Sequence, residues 1–275
     1  MARRASTPLP EWLYKVFVFG FGTLCLMFLV APIVLALVMS FTGGQTLKFP
    51  PEGFSLRWYE ALLDPLRSST EHIAAFNSLK IAALAVLGAL LFAVPAAIGA
   101  SRVRRKTVNA VEPLLLSPLV LPSLVYGLAA LIVANLIGIR PSLWLTIMGH
   151  IVVFGPLMYR SVVVVAQGLD PSLEEASTLM GANWFTTLRR VTLPLLLPGI
   201  LAGAFLVFIQ SLDNVSISLF LADPSTTVLP LRMFALIEEG LDVRVAAMSG
   251  ILIAVVLIGL LIGRRALGKS QTSQS

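Results

Sequence analysis

An all-α, polytopic membrane protein with six transmembrane helices is the fold class this sequence predicts, and three observations predict it. Of its 275 residues, 57% are hydrophobic and only 12% charged, about half the charge of an ordinary water-soluble domain. The mean hydropathy is +0.91. The apolar residues also cluster into six runs, each near or above the roughly 20 residues needed to cross the bilayer core. Lipid is therefore the solvent for most of the surface, and the chain reads as one transmembrane domain over residues 1–275.

The spans are expected at about 16–40, 73–100, 113–139, 143–165, 195–222 and 245–263. The first has no charged residue after Lys15 and no cleavage pattern, so it reads as a retained helix rather than a removed signal. The third carries Pro113, Pro118 and Pro122, which break or kink a helix and require neighbours to cover the freed carbonyls. Arginine and lysine placement orients the set. Arg3, Arg4 and Lys15, then Arg102, Arg104, Arg105 and Lys106, then Arg160, Arg189 and Arg190, then Arg264, Arg265 and Lys269 fall on one side, the majority of the 20 basic residues. Both termini are therefore expected in the cytoplasm. The net charge of +6 does not indicate nucleic acid, because the basic residues occupy short loops without interleaved surface aromatics. The loop at 41–72 begins with Gly43-Gly44 and Pro50-Pro51, after which Ser55 is placed to cap a short helix bearing Trp58 and Tyr59. Those aromatics suit the headgroup level.

The segment 166–194 is longer than the other cytoplasmic loops. Asp170 is placed to cap a helix with Pro171 in its first turn, and Glu174 and Glu175 favour the positive end of its dipole. Leu169, Leu173, Ala176 and Met180 lie near one helical face, and Gly181 permits a sharp turn. A second amphipathic stretch follows with Trp184, Phe185 and Leu188, closed by Pro194 before the fifth span. Two short helices at a fixed angle are expected, either presented to the cytoplasm or lying on the membrane surface.

The spacing Glu175-Ala176-Ser177, three residues, Gly181, nine residues, Val191, one residue, Leu193-Pro194 resembles the signature of permease subunits of binding-protein-dependent ABC importers. Ser177 and Val191 stand where that signature has alanine and isoleucine. The resemblance implies a type I ABC importer permease fold in the bacterial inner membrane. It implies a coupling helix that seats on a separate ATP-binding subunit dimer, with Glu174, Glu175, Ala176, Ser177, Gly181 and Ala182 at the contact. It further implies a second permease subunit, forming a heterodimer, and a periplasmic solute-binding protein. Gln210-Ser211-Leu212-Asp213-Asn214, Pro224 and Leu229-Pro230-Leu231 are most similar to the second permease of spermidine/putrescine-type systems. That pattern usually has two acidic residues where this chain has Asp213-Asn214. An opine, phosphonate or thiamine-like solute is the alternative to an amine.

Asp213 is expected deep in the fifth span, where a carboxylate costs on the order of 3 kcal/mol and so faces a wet path or a partner. Gln210, Asn214 and Ser218 extend its polar face at near-helical spacing. His150 reads as a satisfied packing residue, and Gly199 and Gly203 as a small-residue seam. Gly263–Ser270 matches the phosphate-loop letters, but it follows a membrane helix rather than a strand. ATP hydrolysis is therefore assigned to another chain, and no enzyme activity is expected here. Neither a cofactor nor a metal is expected: Cys25 lacks ligand company, and no histidine or carboxylate cluster is evident. A self-contained secondary transporter would ordinarily show an inverted repeat or several intramembrane charges.

Overall fold

The computed structural model describes residues 11–240 and 242–272, with the side chains of residues 11, 262 and 264–272 outside that description. Arg3 and Arg4 lie outside the described residues, as do the side chains of Arg264, Arg265 and Lys269. The elements are α1 (Glu11–Ser40), α2 (Arg57–Leu63), α3 (Ser69–Arg102), α4 (Arg105–Val120), α5 (Ser123–Leu136) and α6 (Leu143–Gln167). Then follow α7 (Ser172–Leu179), α8 (Trp184–Thr187), a π-helical turn (Leu188–Thr192), α9 (Leu193–Leu212), α10 (Ser216–Leu221), α11 (Leu229–Glu238) and α12 (Arg244–Thr272). Among the described residues, five helices are long and apolar enough to cross a membrane, and a sixth span exists if α4 and α5 count as one broken crossing.

The core is the packing of α3, α6 and α9. On α3, Ala85, Ala89, Ala93 and Ala97 recur every four residues and are buried. Spacing of four puts them on one face, and their small size lets the backbone of α6 approach closely, the way helices associate where lipid removes the hydrophobic drive. Val153, Phe154, Met158 and Val162 of α6 fill that face, with Leu196 and Val207 of α9 closing the cluster. The seam between α9 and α6 follows the same rule. A methyl group added at Gly203 would lie 2.9 Å from the Met158 Cα, and one at Gly199 2.7 Å from the Ser161 carbonyl oxygen. Helix α1 is the opposite case: every residue from Trp12 to Leu35 is exposed, and burial begins only at Met39 and Ser40.

Three boundaries differ from the sequence expectation. The third span is not one helix over 113–139. It begins at Arg105 and bends by 100° between α4 and α5. Pro122 causes the break: its ring excludes helical geometry at Leu121, whose ψ is 135°. Pro113 and Pro118 are instead accommodated inside α4. The fifth span, expected to run unbroken over 195–222, is interrupted after Leu212 and restarts as α10. Pro194 does not end the second loop helix. The chain runs helically from Trp184 to Leu212 through the π turn, where the Leu193 N–H bonds to Leu188 five residues back. The wider register offsets the donor that Pro194 lacks.

The loop at 41–56 folds back on the bundle. Ser55 is not the N-cap of α2, which is Leu56; it stands one residue earlier, its Oγ accepting from the Arg57 N–H at 3.1 Å. Trp58 and Tyr59 are half-buried rather than fully at the surface. The Tyr59 hydroxyl donates to Ser40 Oγ at 2.7 Å and the Trp58 indole N–H to the Gly44 carbonyl at 3.1 Å. At the far end of the chain, the backbone over 263–270 continues α12 as a helix, with no strand before it.

Candidate functional site

Helix α7 projects from the end of the bundle where α3 stops and α9 starts. Asp170, one residue before the N-cap Pro171, covers the first N–H of the helix, Oδ1 accepting from Ser172 at 2.9 Å. That backbone donor, joined by the Ser172 side chain, holds the Asp170 carboxyl below its usual range. Gly181 turns the chain at φ +85°, in the left-handed region that glycine alone enters without strain. Asn183 then caps α8, accepting from the Thr186 N–H at 2.8 Å.

No residue of α7 is buried. The face bearing Glu175 and Ala176 is open, and beyond it Leu179, Met180, Trp184 and Phe185 are all exposed, Met180 at 90%. Of the expected stripe, only Leu169 packs against the core; Leu173 and Met180 do not. The signature residues therefore divide. Glu175, Ala176 and Gly181 face outward, with Ala182 half-exposed beside them. Glu174 and Ser177 turn inward. Ser177 Oγ lies 3.0 Å from Thr187 Oγ1 of α8. Glu174 Oε1 accepts from the Arg102 guanidinium at 2.6 Å and from the Thr192 hydroxyl at 2.5 Å. A cavity of about 160 Å³ lies under α7, lined by Ile98, Arg102, Leu173, Glu174 and Thr192 among others.

The second expected site lies at the break in the fifth span. Asp213 closes the C-terminus of α9, its N–H bonded to the Ile209 carbonyl, and it is exposed, as is Gln210. Asn214, one residue before the N-cap Val215, covers an N–H in the first turn of α10, its Oδ1 accepting from Ile217 at 2.8 Å. Asparagine and aspartate cap about equally well, so an uncharged side chain here preserves the break while leaving Asp213 as its single carboxylate. Ser218 is not on this open face. It is buried, with Oγ 3.4 Å from His150 Nε2. His150 Nδ1 lies 2.6 Å from Ser211 Oγ, and the ring packs edge-on against Phe154 at 5.5 Å. His150 is thus a satisfied core residue joining α6 to α9 and α10. Among the described residues, no group of three histidine, cysteine or carboxylate side chains is placed to hold a metal.

Residues 89–266 match the family model described as "Binding-protein-dependent transport system inner membrane component". The chain belongs to that family. It is a multi-pass inner-membrane permease of an ABC importer, and the match covers α4 to α11 entirely, with the α7 loop inside it. The permease is 30% identical over 241 residues to the spermidine/putrescine transport system permease protein PotC of Escherichia coli strain K12, covering 87% of this chain and 89% of that one. It is 29% identical over 257 residues to the putrescine transport system permease protein PotI of the same strain, covering 89% and 86%. In fold it is similar to a bacterial ABC transporter involved in import of the acidic polysaccharide alginate, with a TM-score of 0.66 at 19% identity over 93% of this chain and 96% of that chain.

One polar cluster of the permease was missed in the sequence. Glu71, in the first turn of α3, is buried and accepts from Arg232 of α11 at 3.2 Å and from Arg244 of α12 at 3.5 Å. Arg244 also bonds Asp242 at 2.7 Å. Burial by itself raises the Asp242 carboxyl, but the Arg244 side-chain and backbone donors outweigh it and leave the group below its usual range. Ser78 Oγ accepts from the Leu229 N–H at 2.8 Å, and Asn77 donates to the Thr227 carbonyl at 2.9 Å. These contacts bolt α11 across the end of the bundle opposite α7. Glu71 and Arg232 are 161 residues apart, too far for any local pattern to pair them. The available signal was an acidic residue placed just before a long apolar run, with two arginines flanking another.

Proposed function

We propose that this permease carries a polyamine or similar amine-containing solute from a periplasmic binding protein to the cytoplasm, driven by a separate ATP-binding subunit pair docked on α7. The observation that carries the docking assignment is the spaced signature on a helix with no buried residue. A helix that buries nothing in its own chain is free to bury its face in a partner. Glu175 supplies a charge there, Ala176 and Gly181 close approach, and Leu179, Met180, Trp184 and Phe185 the apolar area. The basic residues of the α3–α4 connection and of 189–190 support, under the positive-inside rule, the reading that this end and both termini face the cytoplasm. Movement of α7 then reaches the bundle as rigid-body switching between two access states. In this reading the second permease subunit is a different chain.

Similarity to PotC and PotI supports the amine cargo. The exposed Asp213 at the helix break supplies a carboxylate suited to an ammonium group, with Gln210 and the Asn214-capped turn shaping its surroundings. Ser218 supports this turn from behind through His150. The test is uptake of labelled spermidine and putrescine into vesicles bearing the complete transporter. Asp213→Asn is expected to lower uptake at least tenfold while the subunits still co-purify. Undiminished uptake removes Asp213 from the path, and saturable uptake of an opine, phosphonate or thiamine-like solute in place of either amine overturns the cargo.

A further inference from the structure

Helix α7 is joined covalently to α6 on one side and to α8 on the other, but α3 reaches it only through space. Among the described residues, one hydrogen-bonded ion pair joins α3 to α7: Arg102 in the last turn of α3 to Glu174, at 2.6 Å. The same Glu174 oxygen accepts from Thr192 in the π turn that leads into α9. Apolar packing does not duplicate the tie, because α7 buries no residue and a cavity of about 160 Å³ lies beneath it. Glu174 is therefore the point where the docking helix meets two of the three core helices at once.

The other end of α3 is also bolted by charge. Its first turn places Glu71 against Arg232 of α11 and Arg244 of α12. Helix α3 has 34 residues, a length of about 50 Å at the α-helical rise. It thus links the end that carries α7 to the end that carries α11.

We propose that Arg102 and Glu174 form a positioning pair that transmits displacement of α7 into α3, and through α3 to the cover formed by α11. The proposal rests on α7 being the docking helix. Neither residue needs to touch the ATP-binding subunit or the solute: Glu174 faces inward, and Arg102 belongs to a spanning helix. Thr192 holds the carboxylate so that push and pull reach α3 and α9 in register. An exposed pair of this kind adds little to folding, so its loss would be felt in coupling rather than in assembly.

The experiment is a charge-swap cycle on the complete transporter in proteoliposomes, reading solute taken up per ATP hydrolysed, with ATPase co-purification measured in parallel. Glu174→Arg and Arg102→Glu are each expected to lower uptake per ATP by roughly fivefold or more, the lower range of known coupling energies. The double swap restores most of it, because the pair reforms with its charges exchanged. Glu174→Gln, which keeps a neutral acceptor, lies between and guards against misfolding of the reversals. Unchanged uptake per ATP in the single variants overturns the proposal, as does a double swap that recovers nothing. Failure of the unaltered permease to co-purify with any ATP-binding subunit is a different result, and overturns the docking reading on which the proposal stands.

Discussion

Two short helices lie at opposite ends of this bundle and are held in opposite ways. Helix α11 buries Leu229, Pro230 and Leu236 and is bolted by the nearly inaccessible Glu71 carboxylate, by Ser78 and by Asn77. Helix α7 has no buried residue and hangs on its flanking turns, the side-chain hydrogen bonds Ser177–Thr187 and Thr192–Glu174, and one half-exposed ion pair. Helix α7 keeps its outer face free and its attachments few and directional, as the proposed docking role requires. Helix α11 is instead fixed into the core through its contacts with α3 and α12.

Removing the bolts should have the largest effect. Glu71→Ala removes the buried acceptor shared by the half-buried Arg232 and Arg244, which keep Glu239 and Asp242 as partners, so the loss expected is at most about 3 kcal/mol, the figure for a fully buried pair. Thermal unfolding of the purified complex measures it, and a shift within error of zero would mean that α11 is held by its apolar contacts alone. A smaller effect is expected at the α7 end. Asn183→Ala removes the α8 cap, worth about 1 kcal/mol, and hydrogen exchange should report faster opening around 183–187 with α11 unchanged. Opening of both helices together would erase the contrast between them.

The smallest effect is a pH dependence confined to α7. The Asp170 carboxyl is held below its ordinary value by the Ser172 backbone N–H. A depressed folded pKa means the cap is fully formed above the unfolded value of 3.8 and is lost as pH falls through the lower folded value. Hydrogen exchange over 170–176, corrected for intrinsic rates, should therefore be flat at neutral pH and rise only below about pH 4. Asp170→Asn, which can still cap, should remove that rise.

The sequence made the α7 region legible because its determinants are local: a capping aspartate, a proline, a glycine with positive φ and a fixed spacing all lie within 25 residues of one another. Span number followed from hydropathy for the same reason. Three features did not follow. The π turn at Leu188–Thr192 carries Pro194 inside a continuous helix, and composition alone reads a proline there as a stop. The interruption at 213–215 moved Ser218 from the polar face of Asp213 to the buried His150, because helical spacing holds only while the helix is unbroken. The Glu71 cluster joins three elements far apart in the chain, so only the fold could assemble it.

The most direct test of the account places a photo-crosslinking residue at position 175 on α7 and, separately, at position 234 on α11, where Phe234 is exposed, in the transporter assembled in native membranes. Position 175 is expected to capture the ATP-binding subunit and position 234 is not. Capture of that subunit from position 234, or from neither position while the complex co-purifies intact, would contradict it.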